Sequence, residues 1–329
     1  FVSVIPTDAA YEAARQKLQG LFKYAKSYNY AWDESKRDWT NKGTNALKFN
    51  TDSLTTYNVT DRILSASSFS VGYNSEGPVT TSNPQAFLNH VLTADSLNTN
   101  VGLVIYNKDK GNVNPIFDGQ TADDAIKASN GYIFAVDNYN YDPSYSFIQK
   151  ININGRNTAQ VTGSTSEQAQ YVTLDNENQN AEVNVDALGV DNFYYYFPVS
   201  QLNIDFKLNR VISTKYKISI VLLPNRVNIN NIRAEEDGTI IEEKPVFDVQ
   251  IRDDKGSVIG KAVRNVSVDQ NKVEKKVLWE AFEFPYAYYG LPSGYESFPV
   301  LRISMSYAQQ RKGKCKALSI AKVILEPVR

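Results

Sequence analysis

At 329 residues, 42% hydrophobic and 22% charged, the chain has a globular composition and is long enough for two ordinary domains, each with a buried core. Its net charge of −1 excludes a global field that would draw it to nucleic acid or to an acidic membrane surface. The single cysteine, Cys315, excludes an internal disulfide, and the single histidine, His90, excludes most zinc sites and every triad that needs a second imidazole. Tyrosine is the compositional signal, with 21 Tyr against 3 Trp, and Asn is also abundant. Both serve turns and contact faces and point to an extracytoplasmic protein. No run approaches the roughly 18 apolar residues that a membrane span needs, and no signal peptide is recognisable. The chain opens inside a strand, so the expectation is a fragment or a mature product cut at Phe1.

Phe1 to Ile5 reads as a strand that stops at Pro6-Thr7-Asp8. Thr7 and Asp8 are N-cap candidates for a helix whose apolar stripe is Tyr11, Ala14, Leu18, Leu21, Phe22 and Ala25, with Gly20 inside it. Residues 27–50 are polar, carry Trp32 and Trp39, and read as an irregular or briefly helical insertion. Asp61 to Ala66 reads as a short helix, Ser67 to Tyr73 as a strand or loop, and Asn74 to Asn83 as a surface loop. Pro84 opens a helix with Phe87, Leu88, Val91 and Leu92 on one face. Val101 to Tyr106 has the length of a strand, and Ala122 to Ala128 reads as a short helix. Asn130-Gly131 is a turn dipeptide tolerant of positive φ, and the strand after it runs to Asp137. The expectation is that this strand and the opening one share a sheet covered by the intervening helices.

From about residue 144 the texture changes. Phe147 to Ile153 reads as a strand in an otherwise polar stretch. After Asn192 the hydrophobic period is two. Tyr216, Ile218, Ile220 and Leu222 fall on one face, as do Phe247, Val249 and Ile251, and again Leu301, Ile303, Met305 and Tyr307. Asp253-Asp254-Lys255-Gly256 reads as a hairpin turn. Strands with one wet face each predict an antiparallel sandwich. The division this gives is an α+β unit at 1–143, a polar connector with one strand at 144–190, and a β-sandwich at 191–329.

Two segments of the first part carry a family resemblance. Phe1 to Tyr11 reads Phe-Val-Ser-Val-Ile-Pro-Thr-Asp-Ala-Ala-Tyr, and Ser129 to Asp137 reads Ser-Asn-Gly-Tyr-Ile-Phe-Ala-Val-Asp. In that order they resemble the opening and closing motifs of the fasciclin-like adhesion domain, over about residues 1–143. A Tyr-His pair of that family has only Asn89-His90 to match it, so no adhesive role is carried to His90. The resemblance implies an α+β fasciclin-like domain truncated at its N-terminus. The second part, through Tyr216 to Asn225 and Phe282 to Pro285, resembles β-sandwich modules appended to such domains in surface lipoproteins of Bacteroidota. Together they imply an exported protein of the cell surface or periplasm, anchored to the outer membrane by a lipidated cysteine upstream of Phe1. The implied function is non-enzymatic binding or adhesion, with a glycan or an envelope protein as partner. The alternative is an accessory glycan-binding or docking subunit of an outer-membrane nutrient-uptake complex.

No stretch names a reaction. No Gly-x-Ser-x-Gly elbow and no Gly-rich phosphate loop occurs, and no cofactor or metal is expected. His90, beside Phe87, Leu88 and Val91, reads as a packed residue bonded to a carbonyl. Asp123-Asp124 suits a helix start, Asp253-Asp254 a hairpin turn, and Glu235-Glu236-Asp237-Gly238 with Glu242-Glu243 a solvated loop, so none forms the carboxylate pair of a glycosidase. Asp137, Asn138, Asn140 and Asp142 lack the Gly and distal Glu of a calcium loop. Arg311 to Lys316 reads as a solvated hairpin turn. The contact candidates are aromatic: Tyr286, Tyr288, Tyr289 and Tyr295 around a Gly-Leu-Pro-Ser-Gly loop, with Trp32 and Trp39, and the run Phe193 to Phe197. For these two arrangements fit: an exposed contact face, or a sandwich core with a tyrosine-plugged loop.

Overall fold

The computed structural model describes residues 1–25, 30–33, 38–41, 51–69, 84–107, 116–139, 147–155, 161–163, 169–173, 192–196, 201–225, 234, 236–239, 241, 243–269, 273–291 and 297–328; 30–33, 38–41, 84, 162–163, 169–173 and 192–196 are described by backbone alone. The N-terminal part runs β1 (Val2–Pro6), α1 (Asp8–Gln19), β2 (Tyr30–Asp33), β3 (Asp38–Asn41), α2 (Thr51–Ser65), β4 (Ser68–Phe69), α3 (Pro84–Thr93), β5 (Ser96–Asn98), β6 (Val104–Tyr106), β7 (Ile126–Ala128) and β8 (Gly131–Val136).

The opening strand and the strand that ends before Asp137 are parallel neighbours, with Val2 opposite Tyr132 and Pro6 opposite Val136. The sheet order is β4-β1-β8-β7. Its inner face buries Val2, Val4, Phe134 and Val136 in one cluster with Ala10, Ala14 and Leu18 of α1 and Val59 and Ile63 of α2. These are the stripe positions of helices packed on a sheet, and each large side chain buried contributes about 1.5–3 kcal/mol. The outer face stays open: Ile5 is 55% exposed and Ile126 61%.

Several local expectations differ. Gly20 ends α1 as its C-cap and begins a 3₁₀ turn that carries Phe22 into the core. The polar insertion forms a two-stranded hairpin, β2 with β3. The helix expected from Asp61 starts at Thr51, because its first turns are polar and only Val59 and Ile63 show apolar spacing. The helix expected at 122–128 is one 3₁₀ turn, closed by a Thr121–Asp124 capping box, and then β7, which pairs with β8 as a hairpin. Gly131 has no positive φ. It is needed instead because a Cβ there would collide with the Phe1 carbonyl oxygen.

The C-terminal part runs β9 (Ile151–Asn154), β10 (Val161–Gly163), β11 (Ala169–Thr173), β12 (Asn192–Tyr196), β13 (Leu202–Lys207), β14 (Lys215–Leu223), β15 (Val246–Arg252), β16 (Val258–Ser267), β17 (Glu274–Glu283), β18 (Val300–Met305), α4 (Tyr307–Lys312) and β19 (Leu318–Pro327). Two sheets, β10-β13-β18-β15-β16 and β11-β12-β19-β14-β17 with β9 beside β19, share one core and form a β-sandwich. The stretch expected to be a connector with one strand thus supplies β9, β10 and β11 to both sheets.

β15 and β18 keep the predicted alternation, with Phe247, Val249, Ile251, Leu301, Ile303 and Met305 buried. β14 does not: Ser219, Val221 and Leu223 are as buried as Ile218 and Ile220, so this central strand has no wet face. Tyr307 starts α4 and is 52% exposed, outside the strand stripe. Arg311 and Lys312 lie in the last turn of α4, and the following turn drops Cys315 into a buried position. Across β13 and β18 Arg302 donates twice to the Asp205 carboxylate, at 2.6 and 2.7 Å, a bidentate pair that fixes the register of Asp205 opposite Arg302.

Candidate functional site

The N-terminal part and the sandwich meet along a seam. The main chain closes it twice, Ser213 N–H donating to Leu21 O at 2.9 Å and Ala287 N–H to Lys23 O at 2.7 Å. Tyr24 donates its hydroxyl to Tyr289 O at 2.8 Å, and the Asn58 amide donates to Gly290 O at 3.1 Å. Gly290 has φ +73, and a Cβ there would collide with the Asn58 side chain. A small residue tolerant of the left-handed region is therefore required twice over.

This seam is where the sequence-predicted aromatic loop goes. Tyr288 is buried, 6% exposed, and its N–H donates to Val211 O at 2.8 Å. Tyr286 lies half-buried under the Lys23 ammonium, 5.9 Å from the ring centroid. Tyr289 is half-buried under the Arg62 guanidinium, 4.4 Å from its centroid. The three do not form one exposed cluster: Tyr288 plugs the joint, because a ring buried there gains more than in water, while Tyr289 stays half-exposed and also lines the cleft beside it. Tyr295 lies outside the described residues. Trp32 and Trp39 are opposite each other in the β2–β3 register, and their side chains are outside the described set.

Beside the plugged joint the seam stays open as a cleft of about 810 Å³. Its floor is apolar, formed by Phe22, Leu103, Phe147, Ile151 and Ile212. Its walls are polar and come from both parts. α2 supplies Asp61, Arg62 and Ser65; the segment around β9 supplies Gln149, Lys150 and Asn152; the turn before β14 supplies Asn209 and Arg210. Tyr216 lies buried beneath the floor, and its hydroxyl accepts from Ile212 N–H at 3.5 Å. Burial pushes this phenol up to about 12, so it keeps its proton. Lys150 is tied to Glu326 at 3.0 Å, and Lys275 holds the same carboxylate at 2.8 Å. These bonds from Lys275 and Lys150 hold the Glu326 carboxyl below its ordinary range.

Asp61 is the one carboxylate among the described lining residues. The other acidic candidates are placed elsewhere. Asp123 and Asp124 sit on an exposed turn, and Asp253 closes the β15–β16 turn by accepting from Lys255 N–H and Ser257 N–H. Glu243, expected in solvent, is 8% exposed; the Asn225 amide donates to it at 3.3 Å and the Cys315 thiol at 3.2 Å. Burial, with Glu243 beside it, pushes that thiol up and keeps it a neutral donor. Of the alternating acids, Asn140 and Asp142 fall outside the described residues. Among those described, no group of three metal-ligating side chains occurs. His90 lies half-exposed in the last turn of α3. No local pattern announces the cleft, since its cations are scattered singly among ordinary surface residues.

No family model matches the chain. No curated protein matches it either. Among solved structures, a family 35 carbohydrate-binding module from Clostridium thermocellum aligns at TM-score 0.31 and 7% identity, over 55% of this chain and 100% of that one. A family 22 carbohydrate-binding module of Clostridium thermocellum Xyn10B aligns at 0.30 and 12%, over 54% and 91%. An exo-β-1,3-galactanase from Phanerochaete chrysosporium aligns at 0.28 and 9%, over 55% of this chain and 30% of that one. Scores this low do not establish a common fold, and the cleft has to be read from its own chemistry.

Proposed function

We propose that the chain is a non-enzymatic binding protein that holds a polysaccharide segment in the cleft between its helices and its sandwich. The observation that carries this is the lining itself: the amides of Gln149, Asn152 and Asn209 and the hydroxyl of Ser65 around an apolar floor. Amide and hydroxyl groups both donate and accept, and so match sugar hydroxyls, while the floor suits the C–H face of a ring. The single described carboxylate, Asp61, is half of the pair that glycoside hydrolysis needs. The fasciclin-like resemblance of residues 1–143 supports adhesion as the role, and the resemblance of the sandwich to modules of surface lipoproteins supports a lipid-anchored setting at the cell surface. Presentation of glycan to an outer-membrane uptake complex is the alternative within the same reading.

The test is a glycan array followed by titration calorimetry of the best ligand. Asn152→Ala and Asn209→Ala should each weaken binding by about two- to tenfold, the net value of one or two hydrogen bonds. The oligosaccharide should be recovered at its original length. Retention of no glycan, affinity indifferent to both substitutions, or shortened product would overturn the proposal.

A further inference from the structure

We infer that the cleft selects glycans bearing an anionic group, a uronate carboxylate or a sulfate ester, and that Arg62 and Arg210 clamp that group. This rests on the cleft being the glycan site. Three cations, Arg62, Lys150 and Arg210, face one carboxylate, Asp61, in the lining. Lys150 is already shared with Glu326, at 3.0 Å. The two arginines stand differently: neither is within ion-pair distance of a carboxylate among the described residues. They approach the same cleft from opposite walls, Arg62 from α2 and Arg210 from the turn before β14.

Arg62 is also pre-positioned. Its guanidinium lies 4.4 Å from the centroid of the Tyr289 ring, and Tyr289 is itself fixed through Tyr24. A cation–π contact is electrostatic and the guanidinium carries five N–H donors, so it can still offer a pair of them to a planar, bidentate acceptor. The same contact occupies a face of Tyr289, so a sugar ring is denied that stacking surface. Tyr289 thus serves to orient a cation, and charge-assisted hydrogen bonds from that cation hold the anionic group.

The test uses the full chain in calorimetry with four probes: oligogalacturonate, its methyl-esterified form, dextran sulfate and unmodified dextran. An acidic probe should bind at least tenfold tighter than its uncharged counterpart, and its affinity should fall several-fold between about 50 and 500 mM salt. A preference confined to oligogalacturonate identifies the carboxylate, and one confined to dextran sulfate identifies the sulfate ester; either supports the inference. Arg210 is exposed and has no described ion-pair partner, so Arg210→Ala should leave the melting temperature unchanged while removing about tenfold or more of the affinity for the acidic probe. Arg62→Gln should act in the same direction. Equal, salt-independent binding of charged and uncharged probes would overturn the anionic preference and leave a neutral-glycan cleft standing. A charge preference that survives Arg210→Ala and Arg62→Gln would overturn the assignment to this clamp. Absence of binding to all four probes and to a neutral glycan array would remove the glycan reading as well.

Discussion

Two stretches of one seam behave in opposite ways. From Tyr286 to Gly290 the sandwich loop and α1–α2 close on each other, with Tyr288 buried and Asn58 bonded to Gly290 O. Between α2 and the Asn209–Arg210 turn the same two bodies stand apart and leave the cleft. The difference lies in what each wall presents. Aromatic rings and paired backbone groups leave water together at little cost, whereas two arginines with no described ion-pair partner cannot be dehydrated without a counter-charge.

Breaking the plug should have the largest effect. Tyr288→Ala empties a buried aromatic position and should cost about 3–5 kcal/mol, read as a lowered urea midpoint. Gly290→Ala meets both the left-handed backbone and the Asn58 side chain, and should cost about 1–3 kcal/mol. Asn58→Ala removes the donor to Gly290 O and should cost about 1–2 kcal/mol. In the double variant the collision disappears, so the two costs should sum to more than the measured loss by about 1 kcal/mol. Simple additivity would show that Asn58 and Gly290 are not coupled.

The smallest effect sits on the rim of the open stretch. The folded-state pKa of Glu326 is lowered by Lys275 and Lys150, so its contribution is present above the ordinary value of about 4.5 and is lost as pH falls through the lower folded value. Glu326→Gln should remove that part of the acid sensitivity, with a change of under about 1 kcal/mol at neutral pH, because the group is near the surface. Unfolding curves at pH 7, 4 and 3 for both proteins check this. The same substitution frees Lys150 and should steepen the salt dependence of binding to an acidic glycan.

Much of the architecture was legible. Strand β1 and strand β8 pair as the two motif segments implied, and the alternation of Phe247, Val249 and Ile251 gave β15 its inward face. Local pattern carries such elements because a strand with one wet face writes its orientation into every second residue. The three residues of β7 carry too little period to tell strand from helix, and its hairpin with β8 makes it a strand. The Lys215-Tyr216-Lys217 start of β14 alternates and so reads as half-wet, whereas the burial of Ser219, Val221 and Leu223 depends on what lies over the sheet, which the local pattern does not carry.

The candidate site was not legible in this way. Tyrosines 286, 288 and 289 stood out by composition, yet composition is silent on whether a ring meets solvent or another part of the chain. Arg62 and Arg210 were unremarkable, since each is one more charged residue on a polar stretch. The sequence by itself determined which strands have an inside and roughly where helices begin, because those depend on neighbours a few residues away. Only the tertiary structure decided which loop became the plug and which wall became the cleft, because that depends on two surfaces brought together from distant segments and on whether their charges tolerate losing water.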